Sequence, residues 1–196
     1  KLNLMAKLIG LNKIKTAVFI SGTGSNLKNL INFSKTKKSP ISIDLIISNT
    51  IKAKGLKFAN QYQIKKKIFN FKNIKTTEKK LFILLKKKKI KFICLAGFMK
   101  ILSSKFIKQF NGKIINIHPS ILPRYKGLNT HSRAIQNKDK FSGCTVHYVT
   151  EKLDSGKIIM QKKIKILKKD TPSSLARKIL KQEHKIYPKA ILKIFN

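Results

Sequence analysis

With 196 residues, two cysteines and no uncharged apolar run of about 18 residues, the chain has the size of one domain and excludes a disulfide framework and a membrane-spanning helix. The formal net charge of +38 comes almost wholly from lysine, with arginine only at Arg124, Arg133 and Arg177. The lysine runs at Lys65–Lys67 and Lys86–Lys89 lie beside apolar segments, so they read as solvated faces whose field attracts anions, not as a specific nucleic-acid interface.

The residues ahead of the first strand mix Lys with Leu and show no cleavage site, so no leader is expected. Thr16–Ser21 is a short β-branched run closed by Gly22 and predicts a buried strand. Leu27, Leu30 and Ile31 recur at helical spacing, which predicts a helix over Asn26–Lys35. A second strand follows at Ile41–Ser48, a helix at Ala53–Gln61 and a third strand at Ile64–Phe69. Thr77–Lys88 reads as a helix with Leu81, Leu84 and Leu85 on one face and Thr77 as its N-cap. Phe92–Ala96 is a fourth strand, Ser104–Phe110 a short helix and Lys113–His118 a fifth strand. Strands alternating with helices argue for a parallel sheet covered on both faces. Beyond Pro119 the style changes. An irregular loop leads to a helix at Thr130–Asn137, and Cys144–Val149 and Ile158–Ile166 read as a hairpin around Gly156. Thr171-Pro172 opens a long helix over Ser173–Phe195, with Pro188 as the point of a bend. Cys94 and Cys144 fall in strand-like runs and read as buried thiols.

Three segments carry chemistry. Ser21-Gly22-Thr23-Gly24-Ser25-Asn26 joins a strand to a helix, where glycines let backbone amides approach an anion and the helix N-terminus favours it. The segment is neither a P-loop nor a full dinucleotide fingerprint, and such turns also occur as plain structure. Asn116-Ile117-His118 leaves the end of the fifth strand, where α/β sheets gather ligands. Alternation puts Asn116 and His118 on one face, from which an amide and an imidazole can donate to a developing oxyanion. The alternative there is a strand end with a satisfied histidine. Asp154, in the turn of GCTVHYVTEKLDSG, is either a carboxylate that orients His118 and favours its proton, or a residue that only shapes the turn.

Five ordered stretches, at Ile20–Leu27, Leu95–Leu102, Ile115–His131, Gly143–Gly156 and Gln182–Pro188, resemble the glycinamide ribonucleotide transformylase family. The resemblance runs from about Ala17 to Pro188 and implies one formyltransferase domain over residues 1–196. It implies an α/β, Rossmann-like open twisted sheet, mostly parallel with antiparallel strands in the C-terminal part and helices on both faces. The implied reaction moves the formyl group of 10-formyltetrahydrofolate to the amine of glycinamide ribonucleotide in de novo purine biosynthesis, by direct attack through a tetrahedral intermediate. Asn116, His118 and Asp154 match the family's catalytic trio, and Gly24, Ser25 and Asn26 match the part that holds the substrate phosphate. Glu183 matches the acidic residue at the glycinamide end. Met99, Lys100, Ile101 and Leu102 match the folate wall, and Val149, Thr150, Glu151, Lys152 and Leu153 match the loop over the pterin. Lys75 is placed as the cation for the folate tail. Lys100 stands where the family commonly has arginine, and Lys152 where an acidic residue often occurs. No metal, specific nucleic acid or membrane partner is implied, and a cytoplasmic monomer or homodimer is expected. Methionyl-tRNA formyltransferase and formyltetrahydrofolate deformylase look similar in this domain, but each carries a further domain for which this chain has no room, and Glu183 favours the glycinamide substrate.

Overall fold

β-Branched and aromatic runs become strands here because their side chains alternate across a surface that can be covered on both sides. The computed structural model describes residues 13–195, and the expectation of no leader in residues 1–12 lies outside them. The backbone falls into two compact units, residues 13–114 with Phe195, and residues 115–194.

In the first unit β1 (Ile14–Ile20), β2 (Ile41–Ser48), β3 (Lys66–Ile68) and β4 (Phe92–Leu95) lie in the order β3-β2-β1-β4, all parallel. Helices α1 (Ser25–Ser34), α2 (Leu56–Gln61) and α3 (Ile74–Lys87) connect them, and α4 (Ser104–Gln109) follows β4. The inner strand β1 buries Ala17 through Ile20 completely, as an unbroken apolar run requires. The third strand is shorter than the predicted Ile64–Phe69. It keeps three exposed residues, two of them lysines, which suits an edge. The cap of α3 also differs from expectation. Asn73, not Thr77, accepts the Thr76 amide at 3.1 Å, and Thr77 sits inside the helix, donating its hydroxyl to the Asn70 carbonyl at 2.6 Å. Asparagine reaches the third amide of the helix well, and starting one turn earlier buries Thr77 and Glu78 beside Leu81.

In the second unit β5 (Lys113–His118, whose first two residues belong to the first unit), β6 (Phe141–Tyr148) and β7 (Ile158–Lys165) follow in the order β5-β6-β7, antiparallel throughout. The predicted hairpin is therefore present. Its connection closes on Gly156, where a Cβ would stand 1.8 Å from the Tyr148 carbonyl oxygen. Helix α5 (Thr130–Gln136) precedes β6. Helix α6 (Pro172–Phe195) runs without a break through Pro188 and buries one stripe, including Leu175, Ile179, Glu183, Ile186 and Tyr187. The Tyr187 hydroxyl donates to the Ile115 carbonyl at 3.5 Å, fixing the stripe against β5. Both cysteines are buried. Burial, then the Glu183 carboxylate, push the Cys144 thiol up to about 12, so it stays a thiol. No helix among the described residues is long and apolar enough to cross a membrane.

Candidate functional site

Antiparallel pairing of β5 with β6 sets Asn116 opposite His147 and His118 opposite Thr145. Strand alternation then sends the side chains of Asn116 and His118 to one face, and those of Thr145 and His147 to the same face. Asp154 arrives from the β6–β7 connection with a left-handed backbone, φ 45°. A short polar residue tolerates that conformation better than a bulky one would. His118 Nδ1 lies 3.4 Å from Asp154 Oδ2, and His147 Nε2 lies 3.6 Å from Asp154 Oδ1. Asn116 Nδ2 is 3.3 Å from His147 Nε2. The result is one polar chain, Asn116–His147–Asp154–His118, with both histidines buried and Asn116 and Asp154 half-buried, drawn from distant parts of the sequence.

Backbone groups meet both imidazoles and the carboxylate. His118 Nε2–H donates to the Tyr125 carbonyl at 2.8 Å, and the Gly127 amide donates to Asp154 Oδ2 at 2.8 Å. His147 Nδ1 faces the Tyr148 carbonyl at 2.9 Å, and Nε2 faces both the Asn116 amide and Asp154 Oδ1, accepting from the amide when it carries no proton and donating to the carboxylate when it does. The Thr145 hydroxyl donates to the Ser120 carbonyl at 2.6 Å and accepts the Leu122 amide at 3.1 Å, tying the irregular loop after β5 to β6.

The electrostatics are balanced, not one-sided. Burial lowers the His118 pKa below its ordinary value. The Tyr125 carbonyl and Asp154 pull it upward without overcoming burial. Asp154 alone therefore does not keep His118 charged in the resting protein, although both ring nitrogens face acceptors and suit an imidazolium. Burial likewise pushes Asp154 upward, but His147, the Gly127 amide and His118 together bring its pKa below the ordinary carboxylate value. Asp154 is thus ionised and ready to stabilise positive charge on either imidazole.

The other sequence-predicted residues divide between the units. Val149 through Leu153 lie in the second unit with the polar chain. Val149 is half-buried, and the rest are exposed. Glu183 is buried in α6. Gly24, Ser25 and Asn26 open α1 in the first unit. Gly24 takes φ 78°, and a Cβ there would come within 2.5 Å of Gly55 Cα, so the turn needs glycine for both conformation and room. Met99, Lys100 and Ile101 are exposed and Leu102 is buried. Their segment is clamped at both ends. The Ser21 hydroxyl accepts the Met99 amide at 2.7 Å, while buried Glu78 takes the Ser103 amide at 2.7 Å and also the Ser103 hydroxyl. Lys75 is exposed in the first turn of α3. Sequence reasoning missed His147, the Tyr125 carbonyl and the Gly127 amide. A signal existed for His147 alone, since it stands two residues after Thr145 and so shares its face.

Residues 14–191 match the Formyl transferase family. The chain is 41% identical over 182 residues to the human trifunctional purine biosynthetic protein adenosine-3, covering 91% of this chain and 18% of that protein. The chain thus spans between 13% and 18% of the length of the trifunctional relatives it matches. It is 42% identical over 180 residues to the phosphoribosylglycinamide formyltransferase of Haemophilus influenzae, covering 90% of this chain and 85% of that one. The crystal structure of phosphoribosylglycinamide formyltransferase from Brucella melitensis superposes with a TM-score of 0.88 at 39% identity, over 93% of this chain and 96% of the other. That superposition carries the mixed α/β architecture expected from the alternation of elements.

Proposed function

This chain belongs to the formyl transferase family, and on that premise we propose that it transfers the formyl group of 10-formyltetrahydrofolate to the primary amine of glycinamide ribonucleotide. The observation that carries the reading is the polar chain Asn116–His147–Asp154–His118, lodged in a protein whose relatives include named phosphoribosylglycinamide formyltransferases. A formyl group on nitrogen is already activated, so the protein need supply only alignment and electrostatics. The residues available suit such a donor. Leu128 and Leu153, exposed at 68% and 49%, flank Gly127 and Asp154 in sequence and offer apolar surface to a flat ring.

Attack of the amine on the formyl carbon places negative charge on the formyl oxygen. Asn116 donates to that oxygen, and His118, once protonated, stabilises it by its positive charge while its two N–H groups stay on the Tyr125 carbonyl and Asp154. At rest, burial disfavours the His118 proton. The growing oxyanion and ionised Asp154 favour it, so the interaction strengthens as the reaction proceeds. As the intermediate collapses, the bond from the formyl carbon to N10 breaks, and Asp154 takes part, through water, in moving a proton from the amine to the departing N10. Gly24, Ser25 and Asn26 hold the substrate phosphate on the first-turn amides of α1, and Glu183 meets the glycinamide end. Met99 to Leu102 wall the folate, Val149 to Leu153 cover it, and Lys75 meets its acidic tail. We take residues 1–196 as one cytoplasmic formyltransferase domain that acts on small molecules and reads no nucleic-acid sequence.

The test offers glycinamide ribonucleotide and initiator methionyl-tRNA in parallel, each with 10-formyltetrahydrofolate. Formylation of the ribonucleotide alone is expected. Preference for the tRNA would overturn the substrate assignment while leaving formyl transfer intact.

A further inference from the structure

Two backbone groups, only two positions apart in sequence, hold both members of the His118–Asp154 pair. The Tyr125 carbonyl receives His118 Nε2–H, and the Gly127 amide reaches Asp154 Oδ2, each at 2.8 Å. Tyr125 and Gly127 are both in the left-handed region, at φ 56° and 77°. Glycine adopts it freely, but a tyrosine there is strained and needs support from its surroundings.

The Tyr125 side chain has that support. Its hydroxyl donates to Asp139 Oδ2 at 2.7 Å and accepts from Asn137 Nδ2 at 2.8 Å. Its ring contacts the guanidinium groups of Arg124 and Arg133, 5.2 and 4.9 Å from the centroid. Arg133 also donates to the Lys126 carbonyl at 2.8 Å, inside the same three-residue stretch. Asp139 is itself fixed. Its amide donates to the Ala134 carbonyl at 3.0 Å, and its carboxylate pairs with Arg124 at 3.2 Å. The C-terminal end of α5 thus grips a side chain whose backbone grips the imidazole. A solvated loop tyrosine would need none of these partners.

We propose that Tyr125 is a positioning residue for formyl transfer, with Asp139 as its anchor: the side chain holds residues 125–127 in the conformation whose carbonyl fixes the tautomer of His118 while its amide fixes Asp154. The proposal rests on the reading of His118 and Asp154 as the catalytic pair. Without the anchor, the backbone at Tyr125 relaxes toward ordinary φ, its carbonyl turns away, and His118 Nε2 loses its acceptor. The imidazole is then free to place its proton on Nδ1 and to rotate.

Tyr125→Phe keeps the ring face that meets both guanidinium groups and removes the hydroxyl, with its bonds to Asp139, Asn137 and Arg124. Asp139→Ala removes the anchor from the other side. In the full chain, both are expected to lower kcat on the order of 10- to 100-fold with KM for glycinamide ribonucleotide unchanged, since small misplacements at a reacting centre have effects of that size. Asp139→Asn, which keeps an acceptor oxygen, is expected to fall between them and wild type. Nitrogen-15 NMR of the imidazoles reads the positioning directly: the Nε2–H pattern of His118 is expected to collapse, and its titration to shift, in Tyr125→Phe. Wild-type turnover together with an unchanged His118 nitrogen pattern in folded Tyr125→Phe and Asp139→Ala would overturn the proposal. If Asp139→Ala fails to fold, Tyr125→Phe and Asp139→Asn decide by the same two readouts. His118→Gln is assayed alongside. Normal turnover there, with a displaced nitrogen pattern in Tyr125→Phe, would remove the catalytic reading and leave the clamp on His118 standing.

Discussion

Asn116 in β5 and His147 in β6 face each other across an antiparallel pair, with amide and imidazole nitrogens 3.3 Å apart. That contact turns a trio into a chain of four, because His147 also approaches Asp154 on the side away from His118. His147→Ala would leave Asn116 without its partner and Asp154 with one neighbouring imidazole. We expect kcat to fall on the order of 10- to 100-fold, with phosphate-substrate affinity kept. Steady-state kinetics check this, and an unchanged kcat would reduce His147 to packing.

Asp154→Asn keeps the shape of the side chain and its acceptor for the Gly127 amide but removes the charge that favours imidazolium. A loss of roughly 100-fold or more in kcat is expected, the range of general acid–base contributions. Stability gives a second readout. The folded pKa of Asp154 is depressed, so its stabilising contribution is full above the unfolded value and is lost as pH falls through the folded one. Wild type should therefore melt above Asp154→Asn at neutral pH, with the gap closing at acid pH below about 3.9.

Much of this fold was legible because its signals are local. Ile41–Ser48 and Lys113–His118 are strands over the predicted residues, and α1 and α6 begin within one residue of expectation. Errors arose where several residues competed for one role, as Asn73, Thr76 and Thr77 do for the start of α3. They also arose where neighbours decide, as at the exposed edge strand β3. The site was legible only in part for the same reason. Alternation put Asn116 and His118 on one face, but which residue of β6 stands opposite is set by register, and register is invisible in either strand alone. The Tyr125 carbonyl and Gly127 amide have no sequence signature, since every residue but proline carries both groups.

The glycine-rich turn separates room from conformation. Gly24→Ala meets Gly55 Cα at 2.5 Å and carries a left-handed φ, whereas a Cβ at Gly22 meets nothing within 4 Å. We expect Gly24→Ala to destabilise by about 1–3 kcal/mol and to weaken phosphate-substrate binding. Gly22→Ala should stay within about 0.5 kcal/mol of wild type. Urea unfolding at constant m-value compares them, and equal losses would mean the close approach to Gly55 does not constrain the turn.

Stability should also fall in mild acid, well before the carboxylates titrate. Burial lowers the pKa of His118, His131 and His184 below the ordinary 6.5. For a base with a depressed folded pKa, the unfolded chain binds more protons once pH drops below the unfolded value. Stability is therefore full above about 6.5 and declines as pH falls toward the folded values. Added positive charge works in the same direction on a chain already at +38. Salt distinguishes the two causes. Screening reduces repulsion among exposed lysines but leaves a buried imidazole largely untouched. Raising ionic strength at pH 8 should raise Tm, while the drop in Tm between pH 7 and pH 5 should persist in high salt and shrink in His184→Gln. If the drop vanishes with salt and is the same in His184→Gln, self-repulsion and not imidazole burial sets the acid limit of this fold.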